Sequence, residues 1–157
     1  MPVKELSDLP SPSTYGEETG VFHASGRALV IYEISELAKS QGYAHECALV
    51  EFFGCRRVLT GGPNDEALGR HPAAKWGLHF YSIQEIVDSP MIAEQERTLH
   101  KDGKVGLHPR FRHFVLAMKE DTVDVFAKDY RLVGMFPNRP SAMTAAVEML
   151  ISGMDAA

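Results

Sequence analysis

Residues 111–128 read FRHFVLAMKEDTVDVFAK, two apolar-rich runs joined by the short polar stretch Lys119–Thr122. Val123, Val125 and Ala127 alternate with Thr122, Asp124 and Lys128, the two-residue period of a half-buried strand. Strands joined so tightly are antiparallel, because a parallel pair needs a crossover of a dozen residues or more. This excludes a regular doubly wound parallel sheet. Phe126 interrupts the polar face of its strand, so that face is expected to be partly covered as well.

Around this hairpin the chain reads as strands with helices inserted between them. Val21–Ile34 is a β-branched and aromatic run in which Gly26 and Ala28–Ile34 leave strand and helix both open; the favoured reading is a strand before a short helix that ends at Gly42. Cys47–Thr60 reads as strand, kink at Gly54, and strand. Leu78–Val87 is a further strand, and Asp88 or Ser89 caps a helix whose first turn takes Pro90 and which runs to about Lys101. Tyr130–Met135 is another strand candidate, and a final helix follows Pro137 and Pro140, capped by Asn138 or Ser141. The expected class is α+β: a curled antiparallel sheet, barrel-like at the limit, with two or three packed helices. Residues 1–20 carry three prolines and little periodicity, and read as a flexible or draped arm before one domain over 21–157.

Composition narrows the function classes. Of 157 residues, 45% are hydrophobic, enough to build a core without disulfides or metal. No apolar run approaches the roughly 20 residues of a membrane span, and the first residues lack the pattern of a signal peptide. A cytoplasmic protein without membrane attachment is therefore expected. The net charge of −5 is unevenly spread. Residues 1–20 set Lys4 against Glu5, Asp8, Glu17 and Glu18, whereas residues 97–112 hold five basic side chains against Asp102. Such a positive stretch can steer an anionic ligand, but the basic residues are few and the overall balance is negative, which argues against nucleic-acid binding. Cys47 and Cys55 have neither redox-pair nor zinc-ligand spacing and read as small buried hydrophobes.

Candidate site residues fall in two groups. Glu51, Glu85 and His113 sit inside apolar strands, where a carboxylate or imidazole is either at an exposed edge or paired. On a strand period Glu85 shares its row with Tyr81, Ile83 and Val87, and a meeting of Glu85, His113 and Arg57 or Arg112 would make a polar patch. The second group is the loop Gly61–Gly77, GGPNDEALGRHPAAKWG, long enough to suggest function. Asn64-Asp65 equally suits a helix cap, and Trp76 a packing anchor. His71-Pro72 and His108-Pro109 present histidines from rigid bends, but no metal-ligand spacing is present, and no metal or cofactor is expected.

Several of these residues together resemble small bacterial single-domain proteins of unknown function. In those a P-N-D-E-A…H-P loop precedes a strand of the form Y-x-I-x-E-V-x-x-S and a later R-H-F strand. The matching positions are Pro63–Ala67, His71-Pro72, Tyr81, Ile83, Glu85, Ser89, Arg112–Phe114 and Asp121-Thr122, within residues 48–130. Ala117, Met118 and Lys119 depart from the pattern. The resemblance nominates positions and implies no reaction.

The preferred expectation is a small-molecule-binding or accessory protein with a polar pocket, Asn64, Asp65, Glu66, Tyr81 and Arg112 contacting the ligand. The alternative is a cofactor-independent enzyme in which His71, Glu85 and His113 carry acid–base chemistry. A third reading is an oligomerisation or interaction module contacting through the Ala142–Ile151 helix, with surplus apolar residues such as Phe126 favouring a homodimer.

Overall fold

A computed structural model of the chain describes residues 3–16, 19–101 and 111–155. Two antiparallel sheets make the frame, and neither closes into a barrel. The first has five strands: β1 (Val3–Glu5), β6 (Ser82–Ile86), β7 (Arg112–Ala117), β8 (Thr122–Ala127) and β5 (Arg57–Leu59), in that order. The second has four: β2 (Gly20–Ala24), β3 (Arg27–Glu33), β4 (Cys47–Phe53) and β9 (Asp129–Phe136). The helices are α1 (Glu36–Ser40), α2 (Pro90–Lys101) and α3 (Arg139–Asp155), with 3-10 helices over Asp65–Arg70 and Ala74–Trp76.

The expected 111–128 hairpin is present as β7 and β8, with Phe114 opposite Val125 and Leu116 opposite Val123. These residues face the second sheet, where Val30, Ala48, Val50 and Phe52 join them in the main core. Phe52 and Phe114 meet at 5.2 Å between ring centres. Each fully buried side chain of this size contributes about 1.5–3 kcal/mol relative to exposure. The far face of the four-stranded sheet packs Leu29, Ile31 and Leu49 against Ala142 and Ala146 of α3. That helix is capped by Asn138, whose side chain accepts from the Ser141 N–H at 2.9 Å.

Three features depart from the sequence expectation, and of the two forms expected for the N-terminal arm residues 3–16 take the draped one. The Val21–Ile34 run is two strands, because Ser25 (φ 53°) and Gly26 (φ 72°) both adopt the positive φ of a tight hairpin turn. Residues 3–16 are laid onto the fold: β1 pairs with β6, Leu6 and Leu9 are buried, and the buried Tyr32 hydroxyl donates to the Pro10 carbonyl at 2.7 Å. Tyr81 takes φ 51°, so β6 begins at Ser82 and Tyr81 leaves the row of Ile83 and Glu85. Phe126 is fully buried, stacked on His113 at 4.5 Å, and supplies no surface for a homodimer.

The kink expected at Gly54 is real (φ 61°), and it sends β4 and β5 into different sheets. Glu51 does not face water; it is buried between Arg27 and Arg131, the latter at 2.7 Å. Burial works to raise its pKa, and the two guanidinium groups outweigh that and hold it below the ordinary glutamate value. No helix among the described residues is long and apolar enough to cross a membrane.

A candidate site built on a buried histidine–aspartate chain

The outer face of the five-stranded sheet is covered by the 61–77 loop, and this cover creates the site. Gly62 donates its N–H to the Thr122 carbonyl, and Asp65 to that of Lys119, so the loop is sewn along the edge of the β7–β8 turn. A Cβ on Gly62 would lie 2.8 Å from the Thr122 carbonyl oxygen, so glycine permits this approach. Asn64 caps the first 3-10 helix, accepting from the Ala67 N–H at 3.1 Å. Ala73 then packs with Ile86 and Val115, with Trp76 and Leu78 against them. Gln84, fully buried, clamps the backbone of His79: its amide oxygen accepts from the N–H at 2.7 Å and its amide nitrogen donates to the carbonyl at 3.0 Å.

Under this cover lies Asp124, on the face of β8 that also carries Thr122 and Phe126. Its carboxylate faces His71 Nε2 at 2.9 and 3.1 Å and His113 Nε2 at 2.6 Å. Both ends of the chain are fixed as well. The Ala73 N–H donates to His71 Nδ1 at 3.0 Å, and Ser89 Oγ lies 2.7 Å from His113 Nδ1. Ser89 in turn accepts from the Met91 N–H at 3.3 Å as the cap of α2. All four side chains are buried.

The donors dictate where the protons sit. A backbone N–H can only donate, so His71 Nδ1 is bare and its proton is on Nε2, pointing at Asp124. His113 Nε2 likewise donates to the carboxylate, which leaves its Nδ1 against the one group in the chain able to reverse, the Ser89 hydroxyl. Burial pushes the Asp124 pKa up, but hydrogen bonds from His113 and then His71 outweigh it and hold it below the ordinary aspartate value.

Ser89 is also where the chain of hydrogen bonds reaches a cavity. Where β6 runs out and α2 begins, a cavity of about 550 Å³ is lined by Glu85, Ile86, Asp88, Ser89, Ile92, Ala93, Phe111 and Arg112. Arg112 donates to both Glu85 oxygens at 2.8 Å and to Asp129 at 2.9 Å, and lies over the Phe114 ring at 4.9 Å. Another depression, of about 630 Å³, lies at the start of α3, lined by Glu33, Glu46, Cys47 and Arg139 among others; its described lining contains neither histidine nor serine.

The sequence-nominated residues are thus distributed over three places. His71 and His113 come together, joined through Asp124. Glu85 and Arg112 pair with each other at the cavity, on the opposite face of the sheet from His113, because Glu85 stands across from Phe114 and His113 from Ile86. The condition of a Glu85–His113 meeting is therefore not met, and Arg57 is exposed on β5. Asp65 accepts from the Tyr81 hydroxyl at 2.6 Å, with Lys119 at 3.6 Å and Glu66 beside them on a shallow surface. His108 lies outside the described residues.

Sequence reasoning missed Asp124 as a site residue, and reached Ser89 only as a helix cap and as one position of the resemblance, without a chemical role. The available signal for Asp124 was Phe126, which marks its face as covered and so demands a partner for a carboxylate there. Among the described residues, no group of three or more His, Cys, Asp and Glu side chains is arranged to hold a metal ion. No protein-family model, curated protein or solved structure matches the chain.

Proposed function

We propose that the protein binds a small organic ligand in the cavity between the end of β6, the start of α2 and the start of β7. The observation that carries this reading is the convergence there of a cavity of about 550 Å³, within the usual size range for such ligands, with three immobilised polar groups. Glu85 and Arg112 are locked in a bidentate pair. Ser89 is held from behind by His113 and Asp124. Fixed polar groups of this kind orient a ligand without an ordering cost on binding.

The lining also indicates ligand class. Ile86, Val87, Ile92, Ala93 and Phe111 supply apolar wall, and the described charged lining is Glu85, Asp88 and Arg112. Arg112 already answers Glu85 and Asp129, so Asp88 leaves the described lining net negative. A neutral or cationic ligand with an apolar body fits better than an anion.

A thermal-shift screen against neutral, cationic and anionic small organic molecules tests this. A ligand at a hundredfold excess over its Kd adds about 2.7 kcal/mol, a rise of several degrees in Tm. The expected hits are neutral or cationic, and Ala93→Trp, which fills the cavity from the exposed side of α2, abolishes their shifts. Hits confined to anions, or shifts that survive Ala93→Trp, would contradict the proposal.

A further inference from the structure

We infer that Ser89 is an activated nucleophile and that the cavity accepts a small ester or thioester, whose acyl group Ser89 takes up and passes to water. The inference rests on the proposed ligand cavity and adds a reaction to it.

The geometry has three parts. Ser89 Oγ is 2.7 Å from His113 Nδ1, within the reach of a nucleophile and its base. His113 Nε2 is 2.6 Å from Asp124, so the ring is oriented by a carboxylate on the side away from the serine. Asp124 is itself held by His71, whose tautomer is fixed by the Ala73 N–H. Here the serine faces Nδ1 and the carboxylate faces Nε2. The two ring nitrogens are equally able to exchange a proton while the other stays hydrogen-bonded, so the order of the relay is preserved.

The chain also specifies which imidazole can accept a second proton. A proton on His71 Nδ1 would confront the Ala73 N–H, two donors face to face. A proton on His113 Nδ1 meets Ser89 Oγ, which can turn from donor to acceptor. Only His113 can therefore act as base within this chain. Ser89 adds a favourable position: it caps α2, a helix of 12 residues whose N-terminal field favours negative charge developing nearby.

The reaction balances with water alone. Ser89 Oγ attacks the carbonyl carbon while its proton moves to His113 Nδ1. The bond to the leaving oxygen or sulfur breaks, and that atom takes the proton from His113 to leave as alcohol or thiol. Water attacks the acyl–Ser89 ester, gives one proton to His113 Nδ1, and the Ser89–acyl bond breaks. Ser89 Oγ recovers that proton and the acid departs. His113 and Ser89 are the catalytic residues; Asp124 and His71 are positioning residues.

The test is to incubate the full chain with a small fluorophosphonate and, separately, with p-nitrophenyl acetate, then to map adducts by intact mass and peptide sequencing. The expected result is one adduct, on Ser89. It is absent in Ser89→Ala and formed about 100-fold more slowly or worse in His113→Gln, the usual scale for removing a positioned base. Ser89→Thr retains an oxygen for the cap and for His113, so it serves as the folded control should Ser89→Ala unfold, and it labels more slowly than wild type. Asp124→Asn is expected to alter the pH profile of labelling as well as its rate, which a purely structural role would not do. An unmodified Ser89 in the wild type, or equal labelling of wild type and the Ser89 variants, overturns the inference. A ligand that raises the Tm of wild type and Ser89→Ala alike, without a Ser89 adduct, overturns it while leaving the binding proposal intact.

Discussion

Asp124 is a buried carboxylate that accepts from two imidazole N–H groups. Replacing it with Ala leaves both N–H groups without an acceptor, at about 1–3 kcal/mol each. Urea unfolding is expected to show a loss of at least about 2 kcal/mol for Asp124→Ala and less for Asp124→Asn, which keeps one oxygen. A loss under about 0.5 kcal/mol, the scale of ordinary surface substitutions, would show that the two N–H groups do not depend on Asp124 as their acceptor. Because the Asp124 pKa is lowered on folding, its contribution is complete above the ordinary value of about 3.8 and is lost as pH falls through the folded value. The acid limb of the stability curve below about pH 4 is therefore expected to be shallower in Asp124→Asn than in wild type. Burial pushes the Cys55 thiol up to about 11, opposed more weakly by a backbone hydrogen bond with Arg57. Cys55 should resist an aromatic disulfide reagent at neutral pH until the protein is unfolded; rapid reaction in the native state would contradict its burial.

The 61–77 loop is the element that turns a sheet face into a site. Its irregular course is set by glycine at the approach to Thr122, by the Asn64 cap and by His71 reaching Asp124. Gly62→Ala must push the loop off the β8 edge, and a cost of about 1–3 kcal/mol is expected, the usual range for overpacking. The same variant should loosen His71, read as faster amide exchange over Leu68–Ala74; unchanged exchange would show that the loop is anchored elsewhere. Much of this element was legible, because the breakers, the cap and the His-Pro bend are local chemistry. What the sequence does not carry is the pairing of His71 with Asp124, a contact across 53 positions that forms only once the loop folds over the sheet. The β7–β8 hairpin was legible for the opposite reason, since its register is decided by neighbours in the chain. The Ser25-Gly26 turn was hidden because Val21–Ala24 and Arg27–Ile34 are both strand-like, and only the positive φ at two successive residues divides them.

At the scale of the molecule, residues 3–16 have a larger part than their composition suggests. Three prolines and four acidic residues in the first twenty read as an arm, yet Leu6 and Leu9 reach the core shared by both sheets. Leu6→Ala and Leu9→Ala are each expected to cost about 2–5 kcal/mol in denaturant unfolding, and values near zero would return the segment to the status of a loose arm. The β-hairpin alternation located one face of the five-stranded sheet, but nothing local announces that its other face is roofed by a loop, and Phe126 was the sole hint. That roof joins a loop, a sheet and the start of α2 through one buried chain, Ala73–His71–Asp124–His113–Ser89. Nitrogen-15 NMR of the imidazole rings tests it most directly. His71 is expected to carry its proton on Nε2 with a bare Nδ1, and the Nε2 protons of His71 and His113 to exchange slowly with solvent. A His71 proton on Nδ1, or ring nitrogens of either histidine averaging freely between tautomers, would contradict it.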